Sequence, residues 1–197
     1  DLLDIAPKKH NDRTFIKYIR EGEIVEKKFS EVRSDGLAVA RMLRHTLGER
    51  THIAIISKST YEYISCMTGV ICGGFVAVPI DPDSTAEEAA AIINDCDADV
   101  LLYGEEFSDR LDAVRSLCPA LKKEMVISPA SYEKIYEEYS EASEYASLSD
   151  YEMDPDACCL IIYTSGTTGD KKGVMLSCEA LVSNLIFEPY DPIVIRV

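Results

Sequence analysis

The chain has 197 residues, of which 47% are hydrophobic and 28% are charged, so it has enough apolar material for at least one core and is not a disordered tail. It carries 20 Lys and Arg against 35 Asp and Glu, a formal net charge of −15. Because an acidic protein is repelled by phosphate backbones and anionic membranes, we expect no nucleic-acid partner.

The acidic residues are concentrated in the middle of the chain. Residues 81–157 carry 21 acidic and 5 basic side chains. Blocks of like charge usually lie at the surface, so the glutamates of one segment predict the solvated face of a helix. They are Glu133, Glu137, Glu138, Glu141 and Glu144.

The seven cysteines are odd in number and show no C-x-x-C spacing, which is typical of reduced thiols in a cytoplasmic protein and does not suggest zinc. The N-terminus lacks a basic region followed by an apolar one, so no signal peptide is predicted. The most apolar stretch, residues 69–80, is too short for a bilayer. We expect a cytoplasmic protein with no transmembrane segment, and a fragment, since the chain begins at Asp1 and ends within a β-rich run at Val197.

Strands and helices alternate along the chain. Residues 14–19 and 24–29 predict a hairpin, and Ser30 is expected to cap a helix that ends at Gly48. Ser-x-x-Glu spacing predicts that Ser59 and Ser84 open two further helices. The remaining predicted strands cover residues 53–56, 75–80, 100–103, 125–127 and 158–163, and the remaining helices cover residues 107–117 and 132–146. This order indicates βαβ units, hence an α/β fold with a mostly parallel sheet and helices on both faces.

A polar segment follows the last of these strands. Residues 164–173 contain four hydroxyl side chains, three glycines, two lysines and no apolar side chain. Glycines let a backbone approach a ligand and present its N–H groups, hydroxyls donate short hydrogen bonds, and lysine adds a mobile positive charge. Since ligands of parallel sheets bind at the carboxyl ends of strands, the segment predicts a polyphosphate site. A merely polar surface turn is the alternative.

Two familiar motifs do not fit this segment. A Walker A loop requires G-x-x-x-x-G-K-[ST], but the fifth residue after Gly166 is Lys171, and Lys172 is followed by Gly173. A nucleophile elbow requires glycines two residues either side of the serine, and Ser165 has Tyr163 and Thr167 there. Ser165 is therefore a poor candidate for a hydrolase nucleophile.

The segment from Tyr163 to Val174, Y-T-S-G-T-T-G-x-x-K-G-V, resembles the signature loop of the adenylate-forming superfamily. That superfamily comprises acyl-CoA synthetases, adenylation domains of nonribosomal peptide synthetases, and luciferases. Residues 73–82 resemble a second family motif, a strand that ends in a Pro-x-Asp turn. Three positions depart from the usual pattern: Lys171 stands in place of Pro, Cys178 in place of His, and Ala180 in place of Asn.

The resemblance implies a two-step reaction, in which a small-molecule carboxylic acid is activated by ATP with Mg²⁺ and then transferred to a thiol, commonly that of coenzyme A. It implies that Lys172 is the catalytic residue of this segment and that the loop binds the β- and γ-phosphates. The implied binding residues are Thr164, Ser165, Gly166, Thr167, Thr168, Gly169 and Lys172. No metal ligand is assigned within the chain.

These motifs predict three regions: a hairpin region at 1–29, an α/β subdomain at 30–185 that ends in the phosphate-binding loop, and a C-terminal tail at 186–197. The resemblance places them in the first part of the large N-terminal domain of the family. Residues 173–177 resemble fatty acyl-CoA ligases most, so we favour an AMP-forming acid–thiol ligase. The alternatives are an adenylation domain of a peptide synthetase or a non-catalytic nucleotide-binding module. Alone, the chain is expected to be inactive and to self-associate.

Overall fold

A computed structural model describes residues 8, 12–48, 50–141, 143, 154–165 and 171–187. The predicted hairpin is confirmed: β1 (Thr14–Arg20) and β2 (Glu23–Lys28) pair antiparallel. They are joined by Glu21 and Gly22, both with positive φ, 53° and 83°, as the tight primed turns of hairpins require.

The main sheet has six strands: β3 (His52–Ile56), β4 (Val76–Ile80), β5 (Val100–Gly104), β6 (Lys123–Ile127), β7 (Cys158–Ser165) and β8 (Lys171–Ser177). Their spatial order is β6-β5-β3-β4-β7-β8. The first five are parallel, and β8 runs antiparallel to β7 at the edge. The predicted α/β fold is confirmed.

Six α-helices are described: α1 (Phe29–Leu47), α2 (Tyr61–Cys72), α3 (Ala86–Asp95), α4 (Leu111–Leu117), α5 (Pro129–Tyr139) and α6 (Cys178–Phe187). Helices α3 and α4 pack on one sheet face, where Ile56 and Leu101 are buried. Helices α1, α2 and α5 pack on the other, where Ile55 and Leu102 are buried. Alternate residues of each central strand thus enter opposite cores, which explains their continuous apolar sequences.

The predicted helix caps are wrong by one or two residues. Lys28 occupies the cap position of α1, and Ser30 lies inside the helix, where its backbone N–H and hydroxyl both donate to the Asp12 carboxylate at 2.9 Å. The cap of α2 is Thr60, whose hydroxyl accepts from the Tyr63 N–H at 3.2 Å. At α2 two neighbouring hydroxyl residues, Ser59 and Thr60, could each cap the helix, and spacing alone does not choose between them.

The same shift occurs at α3. Thr85, not Ser84, is the cap, and it forms a capping box with Glu88: the two reciprocal hydrogen bonds measure 3.0 and 3.2 Å. The signal S-T-A-E-E contains two overlapping boxes, and the structure uses the second. The predicted helix was therefore correct and its first residue was not.

Two other boundaries also differ. Helix α5 ends at Tyr139, because Ser140 is extended (φ −62°, ψ 172°), and so does not reach residue 146. The segment predicted as one helix at 107–117 is a 3₁₀ turn over Glu105–Arg110 followed by α4. The predicted exposed glutamate face is confirmed for Glu133, Glu137 and Glu138. Glu141 is exposed but lies beyond the end of the helix, and Glu144 lies outside the described residues.

All seven cysteines are free, and five of them are buried, as predicted for core thiols. No helix within the described ranges is long and apolar enough to cross a membrane. The predicted tail at 186–197 lies outside the described residues from 188 onward.

Candidate functional site

The candidate site lies at the tip of the hairpin formed by β7 and β8. Thr164 pairs with Lys172, and Ser165 pairs with Lys171. Side chains of directly opposed residues project from the same face of an antiparallel pair, so Thr164 and Lys172 share a face. The hairpin therefore brings together one predicted hydroxyl and the predicted catalytic lysine across its two strands.

Residues 166–170 join the two strands and lie outside the described residues. The predicted roles of Gly166, Thr167, Thr168 and Gly169 thus stay predictions. Of the remaining predicted residues, Thr164 and Lys172 are exposed, as a residue that meets a ligand must be.

Strand β8 was not predicted. The polar segment was interpreted as a loop up to Gly173, yet strand pairing begins at Lys171 and continues to Ser177. Lysine and glycine are poor strand formers, and their pairing depends on the partner strand β7. Val174, Met175 and Leu176 are the signal that was available in the sequence.

β7 was predicted to be buried on both faces, and this is correct only near its start. Cys159, Leu160 and Ile161 are buried, but Ile162 is 39% exposed. Its partner on the edge strand is Val174, which is 47% exposed. The described helices cover the base of the hairpin, where β7 begins, and leave the part near its tip open to solvent.

Tyr163 anchors the hairpin to the body of the protein. Its hydroxyl donates to the Asp95 carboxylate at the end of α3, with an oxygen–oxygen distance of 2.5 Å. Burial, followed by the hydrogen bond to Asp95, raises the pKa of Tyr163 above its ordinary value. The ring lies over Gly173, the cross-strand partner, where an added Cβ would be 3.0 Å from Cζ of Tyr163 and 3.0 Å from Cγ2 of Ile161. Glycine at 173 is needed for this close approach.

A second turn lies at the same edge of the sheet, since β4 is parallel to β7. After β4 the backbone turns at Asp81, whose side chain accepts from the Asp83 N–H at 2.9 Å. Arg110 donates to the carbonyl oxygens of Pro82 and Ser84 at 3.0 and 2.7 Å. The turn after β4 was predicted from the sequence, but the role of Arg110 was not. Arg110 lies in the 3₁₀ turn after β5, and its guanidinium group holds the backbone of residues 82–84 in place.

The donors at the hairpin tip suit an anion. Lys171 and Lys172 are both exposed, and Lys172 is paired with Thr164, so positive charge and a hydroxyl lie together as donors of the kind that phosphate oxygens accept from. Within the described ranges no group of three or more His, Cys, Asp or Glu is placed to hold a metal ion. The described residues of the tip therefore suit an anion, and we assign no protein ligand to Mg²⁺.

The chain is similar to several known proteins. The sequence model of a family described as "AMP-binding enzyme" matches residues 3–193. The chain is 28% identical over 191 residues to surfactin synthase subunit 1 of Bacillus subtilis, and the match covers 96% of the chain and 5% of that protein. It is 29% identical over 141 residues to the long-chain-fatty-acid–CoA ligase ACSBG1 of Bos taurus, covering 66% of the chain and 19% of that protein.

A solved structure shows the same fold. The crystal structure of ATP-bound MatB from Rhodopseudomonas palustris superposes with a TM-score of 0.73 at 21% identity, covering 93% of this chain and 36% of that one. In each of these three comparisons the chain spans well under half the length of the protein it matches.

Proposed function

This chain belongs to the AMP-binding enzyme family, and from that premise we propose that the protein containing it activates a carboxylic acid with ATP and transfers the acyl group to a thiol. The observation that carries the proposal is the β7–β8 hairpin, which places Thr164 opposite Lys172 at its exposed tip. ATP as the nucleotide is supported by the donor set of the tip and by the similarity of the fold to that of ATP-bound MatB.

The first half-reaction forms an acyl-adenylate. A carboxylate oxygen attacks the α-phosphorus of ATP, the bond from that phosphorus to the bridging oxygen breaks, and pyrophosphate leaves with the bonding electrons. Negative charge grows on the leaving group, and preorganised donors stabilise such charge best. In our proposal Lys172 and the hydroxyls of Thr164 and Ser165 hold the departing pyrophosphate, and Lys171 adds a second positive charge. Mg²⁺, when bound, neutralises phosphate charge.

The second half-reaction transfers the acyl group. A thiol sulfur attacks the acyl carbon, the carbon–oxygen bond to AMP breaks, and the thiol proton is released. Because pyrophosphate has left before this step, the hairpin tip has no charge to stabilise in it. The thiol in our proposal is coenzyme A, which is supported by the likeness of residues 173–177 to fatty acyl-CoA ligases and by the match to ACSBG1.

An exchange assay on the whole protein tests the proposal. Labelled pyrophosphate enters ATP only if a carboxylic acid is reversibly adenylated, so fatty, short-chain and aromatic acids and the amino acids are screened in parallel. We expect exchange with at least one fatty or aromatic acid and acyl transfer to coenzyme A. Exchange with an amino acid alone would support a peptide-synthetase adenylation domain, to which the surfactin synthase match points. Absence of exchange with every acid would support a non-catalytic nucleotide-binding module.

We also propose that the 197-residue chain by itself is inactive and self-associates through β8. This strand is the edge of the sheet, and it exposes Val174 and Met175, which are 47% and 65% exposed. Edge strands with exposed apolar side chains pair with other chains. Light scattering of the chain should show oligomers that Met175→Lys reduces, and a monomer at all concentrations would contradict the proposal.

A further inference from the structure

A cavity of about 550 Å³ lies away from the hairpin tip, and no residue of β7 or β8 lines it. Its walls come from the β1–β2 hairpin and from α1, α2 and α5. It is lined by four tyrosines together with six charged and two hydroxyl side chains, and the tyrosines are Tyr18, Tyr61, Tyr132 and Tyr136. Its volume is that of a small-molecule site.

The floor of the cavity is held rigidly. Tyr18 stacks on Tyr61 with ring centroids 5.0 Å apart, and Tyr132 meets Tyr61 edge-on at 6.2 Å. The Tyr61 hydroxyl donates to the buried Asp35 carboxylate, so the hairpin, α1, α2 and α5 are joined through side chains of one cluster. A site whose walls are fixed in advance loses little entropy when a ligand binds.

The cations of the cavity are already paired. Lys27 Nζ lies 3.2 Å from Asp35 Oδ2, and Arg20 forms an ion pair with the buried Glu62. Lys27 also lies over the Tyr61 ring, 5.2 Å from its centroid. These two cations therefore neutralise the two buried carboxylates and leave the acidic groups of the mouth unbalanced.

The mouth carries glutamates from two helices. Glu133 and Glu137 are four residues apart on α5, so their like charges repel on one helix face. Within the described residues, neither Glu133 nor Glu137 makes an ion pair. Glu31 on α1 has a long ion pair with Lys27, whose Nζ lies 3.9 Å from Glu31 Oε1. Tyr136, between the two α5 glutamates, is 41% exposed. A cation at this position would relieve the repulsion and meet an aromatic face.

The tyrosines also supply an apolar wall. Tyr18, Tyr61 and Tyr132 contact one another through their rings and line the cavity. The alkyl chain of an amine would lie against these rings while its ammonium groups stay near the carboxylates of the mouth.

We propose that this cavity, lined by Tyr132, Tyr136, Glu133 and Glu137 of α5 facing Glu31 of α1, binds a small aliphatic polyamine. Carboxylates at the mouth and aromatic rings along the wall suit a chain with separated ammonium groups. The binding does not depend on the ATP-driven chemistry and takes place without nucleotide.

Calorimetry of the whole protein with spermidine tests the proposal. We expect binding that weakens about tenfold in Glu133→Gln/Glu137→Gln and again with rising salt, because the attraction is electrostatic and screened. Glu138→Gln is the matched control: Glu138 lies on the same helix, is exposed and does not line the cavity. Tyr136→Leu keeps the apolar contact and should still weaken binding, since it removes the aromatic face.

Four results would overturn the proposal: no heat with millimolar spermidine, equal binding of the uncharged 1,8-octanediol, unchanged affinity in the double glutamine variant, or an equal loss in Glu138→Gln. Circular dichroism of each variant shows whether the fold is kept. Helix α5 is exposed at these positions, so glutamine substitution there leaves the core untouched.

Discussion

The centre of the sheet and its β7–β8 edge are built differently. β3, β4 and β5 are covered by helices on both faces, and Ile55, Val78 and Leu101 have no exposed surface. The tip of the β7–β8 hairpin instead presents Thr164, Lys171 and Lys172 to solvent. The difference separates two tasks: buried apolar strands supply stability, and the exposed edge keeps polar groups available for a ligand. Substitutions in the two regions should therefore affect different measurements.

The largest effect on stability is expected at the centre. Leu101 is fully buried on β5, the strand that lies between β3 and β6 in the sheet. Its replacement by alanine in the whole protein should lower the free energy of unfolding by about 2–5 kcal/mol. Met175→Ala, at an edge position that is 65% exposed, should change it by less than about 0.5 kcal/mol. Urea titration checks both variants. Equal losses would break the contrast between centre and edge.

The largest effect on activity is expected at the edge. Lys172→Ala should slow pyrophosphate exchange by a factor that corresponds to about 2–4 kcal/mol, the usual cost of a lost donor to developing charge. Lys171→Pro, which places the usual family residue at this position, should slow exchange far less, because Lys171 only adds a second charge to a site that keeps Lys172. Lys172 is exposed, so the unfolding midpoint of Lys172→Ala should not change. An exchange rate in Lys172→Ala close to that of the unaltered protein would remove the lysine from the proposed role.

An intermediate effect joins the two regions at Gly173. A Cβ there would be 3.0 Å from Tyr163 Cζ and Ile161 Cγ2, so Gly173→Ala should destabilise the protein by about 1–3 kcal/mol through crowding. In a Tyr163→Ala background the same substitution should cost less, because the ring is gone. A double-mutant cycle of unfolding free energies measures the coupling. Additive costs would show that Tyr163 does not restrict position 173.

The smallest effect concerns pH. Burial raises the pKa of Cys66 to about 12. A raised pKa means that the folded state keeps the proton longer than the unfolded state does. Stability from this thiol is fully present below the ordinary thiol pKa of 9.0 and is lost as pH rises toward 12, by about 1 kcal/mol at pH 9.5. Unfolding free energies measured from pH 7 to pH 10 should fall less steeply in Cys66→Ala, and identical slopes would contradict the assignment.

The same contrast explains what could be predicted from the sequence. The continuous apolar sequences of β3, β4 and β5 fix those strands, because only burial on two faces accounts for them. Overlapping capping signals at Ser84 and Thr85 left the first residue of α3 open, since the choice depends on side-chain geometry. The edge strand β8 was missed because its first three residues, Lys171, Lys172 and Gly173, have no strand propensity of their own.

The candidate site was predictable only in part. The motif identified the loop and Lys172, because glycines, hydroxyls and lysine in this order carry their own chemistry. The contact of Tyr163 with Asp95 and the contacts of Arg110 with Pro82 and Ser84 depend on long-range folding, which no local pattern encodes. The cavity beside α5 was not predicted either, since its lining comes from five separate elements.

The central claim is that the hairpin tip stabilises the pyrophosphate leaving group and nothing later in the reaction. Single-turnover thiolation, started from acyl-adenylate supplied to Lys172→Ala and to the unaltered protein, tests this most directly. Our account predicts equal rates of thioester formation in the two proteins, alongside slow adenylate formation in the variant. Equal slowing of both half-reactions in Lys172→Ala would contradict it.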